Sequence, residues 1–401
     1  MSRSLRAWDL RRLGALAAAA VAAAGLSARA TALSAQSATS SLLAQARDAE
    51  AAYQFDLAID RLYALEIEQP RTADAFAGRL QLARLLTLVN DLPAAILQCQ
   101  ALRDELPANQ RERDQALDLA TLLARRLRSR NGPLAYGAEL VAMRGLTAID
   151  EPTALVLAPD GSLLLVDQGA DKLFRVTGDA AAPVGGAVQN PAAIAQLADG
   201  TLVIGTKNGL VTAPAGKPAP ASGSWGGKTH PLKRVRAMAV NARGDLFIVD
   251  REYDGLLRCA AGSASCAPWG AAGALRTVKV GPSGFVYALD EKQPIVRVFD
   301  DGAKLVATIG PLLGPSKLEK IADIAVDAAY GVYLLDADLH RVEVAALRIQ
   351  PDGRIGADSI GNVAIPLQGD RAMKNPTAVA VTSSGAILVA GKSIPRFVRF
   401  R

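Results

Sequence analysis

Few residues of this chain have the types and the spacing that enzymes use for catalysis. The 401 residues include only two histidines, His230 and His340. His230 lies in the Gly- and Pro-containing stretch WGGKTHPLK, and His340 begins a strand-like segment. Neither context suits the base of a Ser-His-Asp set, and no phosphate-binding glycine loop joins a strand pattern to a helix pattern. The sequence therefore predicts no catalytic residues.

A recurring aspartate is the next group that could do chemistry. It ends four hydrophobic strand-like segments, at Asp167, Asp250, Asp290 and Asp336. These carboxylates could form a ring around a metal ion, or each could accept hydrogen bonds from the backbone N–H groups of the loop that follows it. Two equivalent positions hold Thr206 and Gly391, which favours the structural role.

Two of the three cysteines are placed to pair. Cys259 and Cys266 flank a short turn in LLRCAAGSASCAPWG, and two strand-like pieces joined by that turn would face each other. A disulfide is favoured over two free thiols if the chain enters an oxidising compartment. Cys99 lies in a helical pattern and is expected to be a small buried hydrophobe.

Residues 1–35 have the pattern of a bacterial signal peptide. Four arginines flank or precede an uncharged, Ala-rich run from Leu13 to Leu26, and small residues at 28–32 suit cleavage. The alternative, a transmembrane anchor, needs about 20 apolar residues, and this run is shorter. We therefore expect a periplasmic or secreted protein, exported by the general or the twin-arginine route, with no transmembrane segment in the mature chain.

The signal segment carries most of the excess positive charge. Residues 1–35 hold five Arg and one Asp, a net +4 of the formal +6, which leaves about +2 for the rest of the chain. No basic stripe with interleaved aromatic residues occurs. The sequence therefore does not indicate a nucleic-acid partner.

Residues 41–130 have apolar residues at helical spacing and almost no strand pattern. The run AIDRLYALEIEQP from Ala58 to Pro70 returns in weaker form from Ala95 to Pro107, at an offset of 37 residues. This resembles the tetratricopeptide repeat, whose period is about 34 residues, and the alternative is a plain helical bundle. The resemblance implies binding of peptides or helices of partner proteins. The arginines at 125, 126, 128 and 130 are expected to form a solvated helix end.

From residue 134 onward, the chain repeats one unit six times. Each unit is a strand, a tight turn with Gly and a more hydrophobic strand. The six units span 152–167, 191–206, 235–250, 275–290, 321–336 and 376–391. A third strand follows each, and the spacing suits a blade of a β-propeller.

A duplicated segment predicts how the ring closes. YGAELVAMRG, residues 136–145, shares six of ten positions with DGAKLVATIG, residues 301–310, which is the fourth strand of the fourth unit. The last unit ends at its third strand. We therefore predict that 136–145 supplies the missing outer strand and removes an exposed edge. The predicted fold is α+β, with tetratricopeptide-like helical hairpins at 41–130 and an all-β six-bladed propeller at 134–401.

The units resemble the NHL family of propeller repeats, best at PTALVLAPDGSLLLVD (152–167) and VRAMAVNARGDLFIVD (235–250). That resemblance implies an interaction scaffold more often than an enzyme. The chain is also similar in fold to calcium-dependent lactonases, whose first blade begins with a metal-binding Glu. Glu151 occupies the matching place, with carbonyl groups of Asn190 and Asn375 as further ligands for calcium or another divalent metal. In this alternative the chain is a metal-dependent hydrolase.

The favoured hypothesis is a non-enzymatic scaffold without a cofactor. It would bind a protein or a component of the cell envelope through the helices and through one loop face of the propeller. Loops between the second and third strands surround the channel on that face, and Tyr253 is a candidate aromatic anchor. The predicted binding residues are Gln168, Asp171, Lys207, Asn208, Arg251, Tyr253, Glu291, Lys292, Asp338 and Lys392.

Overall fold

The structure is a computed structural model of the chain. It describes residues 42–129, 134, 136–140, 149–158, 160–178, 180–213, 215, 219–369, 372–392 and 397–401. The predicted signal peptide, residues 1–35, lies outside the described residues, as do residues 141–145 of the predicted closure strand.

Five helices fill residues 42–129. We number them α1 (42–51), α2 (Phe55–Glu68), α3 (Ala73–Leu88), α4 (Leu92–Glu105) and α5 (Arg111–Ser129). From α2 onward, each helix packs against the next one along the chain. The tetratricopeptide character of this region stays an interpretation of the sequence. Within the described ranges, no helix combines the length and the apolar character that a membrane span requires.

Local sequence explains where these helices begin and what they bury. Thr72 caps α3 by accepting a hydrogen bond from the Ala75 N–H at 3.1 Å. Asp91 caps α4 in the same way, from the Ala94 N–H at 3.1 Å. The buried side chains of α4 recur every three or four residues: Leu92, Ala95, Cys99 and Leu102. This is the apolar stripe of an amphipathic helix.

The described strands of the second region form six blades around a channel. Blade 1 consists of Pro152–Leu157, Leu163–Asp167, Lys172–Thr177 and Ala180–Pro183. Blade 2 consists of Pro191–Gln196, Leu202–Thr206 and Gly209–Ala213. Blade 3 contains Val235–Val240, Leu246–Asp250, Gly255–Cys259 and Ser265–Ala272.

The remaining blades follow the same order. Blade 4 consists of Leu275–Val280, Val286–Asp290, Val296–Phe299 and Leu305–Ile309. Blade 5 consists of Ile321–Val326, Gly331–Asp336, Arg341–Ile349 and Ile355–Ala364. Blade 6 consists of Pro376–Val381, Ile387–Gly391, Phe397–Phe400 and Ala138–Leu140. A short hairpin, Leu312–Leu313 with Ser316–Lys317, connects blades 4 and 5.

The outer strand of the sixth blade comes from the N-terminal end of the propeller sequence. Ala138–Leu140 pairs antiparallel with Phe397–Phe400, with Glu139 opposite Arg399. Gly137 and Arg401 exchange two backbone hydrogen bonds, at 2.8 and 3.0 Å. The last strand of the chain is therefore not an exposed edge over the part that the structure describes.

Blades 2 and 3 depart from the expected four strands. Blade 2 has three strands in the described residues, and the hairpin that follows it, Ser222–Trp225 with Lys228–Pro231, joins blade 3 instead. The first strand of this hairpin, Ser222–Trp225, pairs in parallel with Ser265–Ala272, so blade 3 has six strands. His230, which the sequence places in an irregular linker, lies in this hairpin and stacks on Trp225 with ring centroids 4.3 Å apart.

The apolar core is divided among the blade interfaces. Separate clusters of buried side chains lie between blades 1 and 2, 2 and 3, 3 and 4, 5 and 6, and 6 and 1. The cluster between blades 4 and 5 continues into the helices. The helical region and blades 4 and 5 therefore share one core.

The helices lie against the turns between the first and second strands of blades 4, 5 and 6, on the face that we call the turn face. Tyr53, after α1, packs on Phe285 of blade 4 with ring centroids 5.1 Å apart. Arg126 of α5 pairs with Asp327 of blade 5 at 2.5 Å. Arg126 is only 4% exposed, so its prediction as part of a solvated helix end is wrong. The reason is that α5 lies against blade 5, whose first turn supplies the carboxylate.

Candidate functional site

The recurring aspartates organise the loops of the face opposite the helices, which we call the open face. Asp167 accepts hydrogen bonds from the N–H groups of Asp150, Glu151 and Ala170, at 2.8–3.2 Å. Asp250 accepts from Lys233 and Glu252 at 2.7 and 2.8 Å. Asp290 and Asp336 have equivalent backbone donors. The predicted structural role of these carboxylates is confirmed, because each one ties the loop after its strand or the loop before its blade.

A cavity of about 430 Å³ lies at the mouth of the channel on the open face. The first strand of every blade contains a bulge at its second residue, where the pairing with the second strand shifts by one position. All six of these residues line the cavity: Thr153, Ala192, Arg236, Arg276, Ala322 and Thr377. Four of them are small, and the two large ones are arginines on the adjacent blades 3 and 4. The bulge ring is therefore cationic on one side and small and uncharged on the other.

Most of the charged side chains that line this cavity are positive. The cations are Lys207, Arg234, Arg236, Arg251, Arg276 and Lys279, and the acid is Asp323. Three cations have an acidic partner in the described residues. Arg234 pairs with Glu252 at 2.5 Å and Arg236 with Glu291 at 2.5 Å. Lys279 lies 3.8 Å from Asp323.

Arg276 differs from its neighbours because it forms no hydrogen bond or ion pair with the described residues. Its side chain is only partly exposed. Burial lowers the pKa of Arg276 and the positive charge of Arg236 lowers it further, while the carboxylates of Glu291 and Asp323 raise it in part. Arg276 is therefore a partly desolvated guanidinium that lies near two carboxylates without a direct ion pair to either, and its N–H donors are free to bind a ligand.

Deeper in the channel, Asp323 connects blade 5 with its neighbours. It is 7% exposed, and its carboxylate accepts a hydrogen bond from the Val379 N–H of blade 6 at 3.1 Å. Burial raises the pKa of Asp323, while Lys279 of blade 4 lowers it. The contacts of this carboxylate therefore span three blades, which suits a structural role in the channel wall.

The structure gathers only part of the predicted binding face into the cavity. Gln168, Lys207 and Arg251 line it. Tyr253 and Glu291 line a smaller neighbouring cavity of about 330 Å³, together with Arg251. Tyr253 packs against Trp225 with ring centroids 5.1 Å apart, so the candidate anchor belongs to an aromatic cluster on blade 3.

The other predicted binding residues lie apart from the 430 Å³ cavity. Asn208 lines a separate cavity between blades 1 and 2. Asp171 accepts a hydrogen bond from the Asn190 N–H at 2.7 Å, and Asp338 pairs with Lys320 at 3.5 Å. Lys292 is exposed on the open face.

Glu151, the candidate metal ligand, already has a cationic partner. Its carboxylate pairs with Lys392, the last of the predicted binding residues. The carbonyl group of Asn375 accepts a hydrogen bond from the Lys392 N–H at 3.1 Å. Among the described residues, no group of three or more His, Cys, Asp and Glu side chains could hold a metal ion. The side chains around Glu151 therefore do not fit a hard divalent cation, which needs several converging oxygens.

The cysteines lie away from this cavity. Cys259 and Cys266 form a disulfide across the hairpin of the third and fourth strands of blade 3, with Cα atoms 4.1 Å apart. Cys99 is fully buried in α4, and burial raises the pKa of its thiol to about 12. His340 lies between two backbone carbonyl groups, those of Asp338 and Lys374, and not beside a nucleophile.

Sequence reasoning missed the two residues that give the cavity its character, Arg236 and Arg276. The predicted binding residues lie in the loops, whereas these two residues lie in the first strands. A signal was present, because both occupy the second position of their units, where the other four units have Thr or Ala. What the sequence did not show is that a bulge turns this position into the channel.

Comparison with known proteins finds similarity at the level of the fold. No protein family and no curated protein matches the sequence. The solved structures that align include the calcium-binding protein regucalcin from Agrobacterium tumefaciens, at TM-score 0.46 and 13% identity over 66% of this chain and 93% of that one. A gluconolactonase from Xanthomonas campestris aligns at 0.43 and 11%, over 63% and 86%. Virginiamycin B lyase from Staphylococcus aureus aligns at 0.43 and 7%, over 66% and 98%. At this level of similarity they carry no implication for a ligand or a reaction, and the NHL assignment stays a prediction.

Proposed function

We propose that this chain is an exported, non-enzymatic binding protein that receives its ligand on the open face of the propeller. The partner would be a protein or a component of the cell envelope. The observation that carries the proposal is the asymmetry of the two faces. The helices occupy the turns of blades 4, 5 and 6, whereas the lining of the open-face cavity comes from the propeller alone.

The contacts of the helices support a fixed arrangement in which α5 borders the turn-face end of the channel and leaves the open face clear. Leu122 of α5 packs against Gly385 of blade 6, and Arg125 donates to the Gly385 carbonyl at 3.3 Å. The first turns of α5 also line a second cavity, of about 590 Å³, at the turn-face end of the channel. A ligand that approaches from the turn face therefore meets α5 before it meets the blades.

The side chains in the open-face cavity support binding more than catalysis. Its one acid, Asp323, is held by Lys279 and by a backbone N–H group of blade 6. A general base needs a carboxylate, imidazole or similar group within hydrogen-bond reach of the substrate. The accessible charged groups here are guanidinium and ammonium groups, which recognise anions and do not accept protons at neutral pH.

The alternative function, a calcium-type lactonase, rests on Glu151. The ion pair of this residue with Lys392 places a positive charge where a divalent cation would bind. This observation favours the binding protein over the hydrolase. A direct metal-binding measurement tests the alternative.

Export is part of the proposal and is supported by residues 1–35, which have the composition of a signal peptide. The disulfide of blade 3 supports it as well, because disulfides persist mainly outside the cytoplasm. Fractionation of cells that produce the full chain should place it in the periplasm or the medium. Retention in the cytoplasm would contradict this part of the proposal.

Site-specific photocrosslinking tests the binding face. A photoreactive amino acid at Lys292 or Asn208 samples the open face, and the same residue at Arg354 is the matched control. Arg354 is 85% exposed in the turn between the third and fourth strands of blade 5, at the opposite end of the blade. We expect adducts in whole cells from Lys292 or Asn208 and not from Arg354. Adducts that form only from Arg354, or from exposed positions of the helices such as Ile67, would refute the open face as the binding face.

A further inference from the structure

We propose that the open-face cavity binds an anionic small molecule and that Arg276 receives its carboxylate or phosphate group. This inference rests on the proposed function, since it names the class of ligand that the open face would take. Three observations support it: the unused donors of Arg276, the fixed position of Arg236 and the small side chains on blades 1, 2 and 6.

The first observation is that Arg276 has its hydrogen-bonding capacity unused. Its five N–H donors make no hydrogen bond to the described residues, although the side chain is only partly exposed in the channel. A planar guanidinium matches two oxygens of a carboxylate or phosphate at once, and such charge-assisted bonds are about twice as strong as neutral ones. An oxyanion would therefore supply the hydrogen-bonding partners that these donors lack in the free protein.

The second observation is that the neighbouring cation is held in place. Arg236 donates to Glu291 at 2.5 Å and to the carbonyl group of Leu275 at 3.5 Å, so its charge is fixed on the wall of blade 3. Glu252 and Asp323 are likewise matched by Arg234 and Lys279. Glu291, Glu252 and Asp323 thus each lie directly beside another cation, and Glu291 and Asp323 act on Arg276 only at longer range.

Two more cations lie at the rim. Lys207 and Arg251 are exposed, line the cavity and form no ion pair with the described residues. Together with Arg276 they leave an excess of positive charge on one side of the mouth. A cleft lined by one sign of charge raises the local concentration and the association rate of a ligand of opposite charge.

The third observation concerns the size of the ligand. The cavity of about 430 Å³ lies within the usual range for small-molecule sites. On blades 1, 2 and 6, Thr153, Ala192 and Thr377 leave space for the body of a ligand, with Gln168 as a polar group at the edge. The chemistry therefore suits a compact polar molecule with one acidic group, such as a sugar acid or a sugar phosphate.

Calorimetric titration of the full chain at low salt tests the inference with three matched probes: glucuronate, glucose 6-phosphate and glucose. We expect at least one acidic sugar to bind and glucose not to bind. Arg276→Gln should weaken that binding about 10- to 100-fold, which is the usual value of hydrogen bonds to a charged group. Arg276→Lys should retain part of it. Which acidic sugar binds distinguishes a carboxylate from a phosphate ligand.

Arg354→Gln is the control, because it removes one positive charge from an exposed arginine at the opposite end of blade 5. It should leave binding unchanged. The inference is overturned if neither acidic sugar binds, if only a polyanion such as heparin binds, or if Arg276→Gln and wild type bind equally. A ligand-free measurement gives a second check. Without an anion, Arg276→Gln should melt no lower than wild type, whereas a structural role of Arg276 requires a lower melting temperature.

Ala192→Trp separates the failure of this inference from the failure of the proposed function. Ala192 lines the small side of the cavity, where a tryptophan would fill the space without removing a charge. If Ala192→Trp abolishes the open-face adducts and Arg276→Gln does not, the face binds a ligand that is not anionic, and only the inference fails. If neither substitution changes the adducts, the open face binds its partner outside the cavity, and again only the inference fails. The proposed function itself fails if wild type gives no adducts from Lys292 or Asn208.

Discussion

Replacing Arg126 by methionine tests how the helices are held on the propeller. Arg126 pairs with Asp327 at 2.5 Å and donates to the carbonyl group of Ala329 at 2.5 Å. Both charged side chains are buried, at 4% and 1% exposure. Methionine keeps most of the volume of the side chain but removes the charge and the donors, so Asp327 becomes a buried carboxylate without a counter-ion.

The expected loss can be estimated from what Asp327 keeps. Its oxygens still accept hydrogen bonds from the N–H groups of Ala329 and Gly331, both at 2.8 Å, and from the Tyr333 hydroxyl at 2.9 Å. Removing one partner of a buried ion pair costs about 3–5 kcal/mol. Because three donors remain, we expect the lower end of that range, about 3 kcal/mol of unfolding free energy.

Urea unfolding followed by two signals measures this loss. Circular dichroism follows the helices, and fluorescence follows Trp225 and Trp269 in the hairpin and fourth strand of blade 3. We expect the helical signal of Arg126→Met to change at lower urea than the fluorescence, because the helices detach first. Arg128→Met is the control, since Arg128 is exposed two residues further on, and it should change stability by about 0.5 kcal/mol or less.

The double variant Arg126→Met/Asp327→Asn completes the test. It removes the buried charge together with its partner, so it should recover part of the stability that Arg126→Met loses. If Arg126→Met and Arg128→Met unfold alike, the buried pair does not hold the helices, and the reasoning from its burial is refuted.

Three further predictions concern other parts of the chain. Reducing the Cys259–Cys266 disulfide, or replacing both cysteines by serine, should lower the unfolding free energy by about 2 kcal/mol for such a short loop, and an unchanged denaturation midpoint would contradict this. Burial raises the pKa of Glu343, and Arg341, 2.9 Å away, lowers it less. A carboxyl group with a raised folded-state pKa contributes stability at low pH that is lost as the pH rises through that pKa. Glu343→Gln should therefore be at least as stable as wild type at pH 7. The difference in unfolding free energy between the two proteins should change as the pH rises from the ordinary Glu pKa of about 4.3, and a difference that does not change with pH would contradict the raised pKa of Glu343. Calcium, zinc, manganese or magnesium, added after a chelator, should not shift the melting temperature, because Lys392 already neutralises Glu151. A metal at 100 times its Kd would add about 2.7 kcal/mol, so a saturable shift that Glu151→Gln abolishes would support the hydrolase instead.

The repeated part of the fold could be predicted from sequence because its determinants are local. Alternation of apolar residues sets the strands, and a residue with positive φ sets each turn. Gly161 and Gly385 illustrate this, with φ of 80° and 84°. In blade 5 the predicted turn glycine, Gly331, begins the strand, and Tyr330 has the positive φ of 59°.

The departures from prediction depend on contacts between distant segments. Residues 214–231 have no clear apolar alternation, and nothing in them shows that a hairpin leaves blade 2 to pair in parallel with blade 3. The buried state of Arg126 has the same origin. A run of arginines at a helix end is usually solvated, and only the position of Asp327 in a turn 201 residues away reverses that expectation.

The candidate site was harder to predict than the fold for a geometric reason. Loop residues such as Lys207 and Arg251 could be assigned to the open face, because the loop between the second and third strands of every blade lies there. Arg236 and Arg276 lie inside strands whose side chains would normally alternate between neighbouring blades. The repeated bulge breaks that alternation at one position and turns it into the channel.

Two glycines in the propeller lie where the helices dock on it. A Cβ atom on Gly331 would lie 2.0 Å from Nη2 of Arg126, and one on Gly385 would lie 2.8 Å from a methyl group of Leu122. At both positions an added side chain would displace a side chain of α5. The turns of blades 5 and 6 are therefore shaped to receive the helix. The helix borders the turn-face end of the channel, whereas the open face, where the guanidinium of Arg276 lies, is lined by the propeller alone. Gly331→Ala should accordingly destabilise the helical contact, as Arg126→Met does, yet leave the affinity of the open face for an acidic sugar within about threefold of wild type, less than 1 kcal/mol. A large loss of that affinity would mean that the two ends of the channel are coupled, and that the contacts of the helices affect ligand binding on the open face.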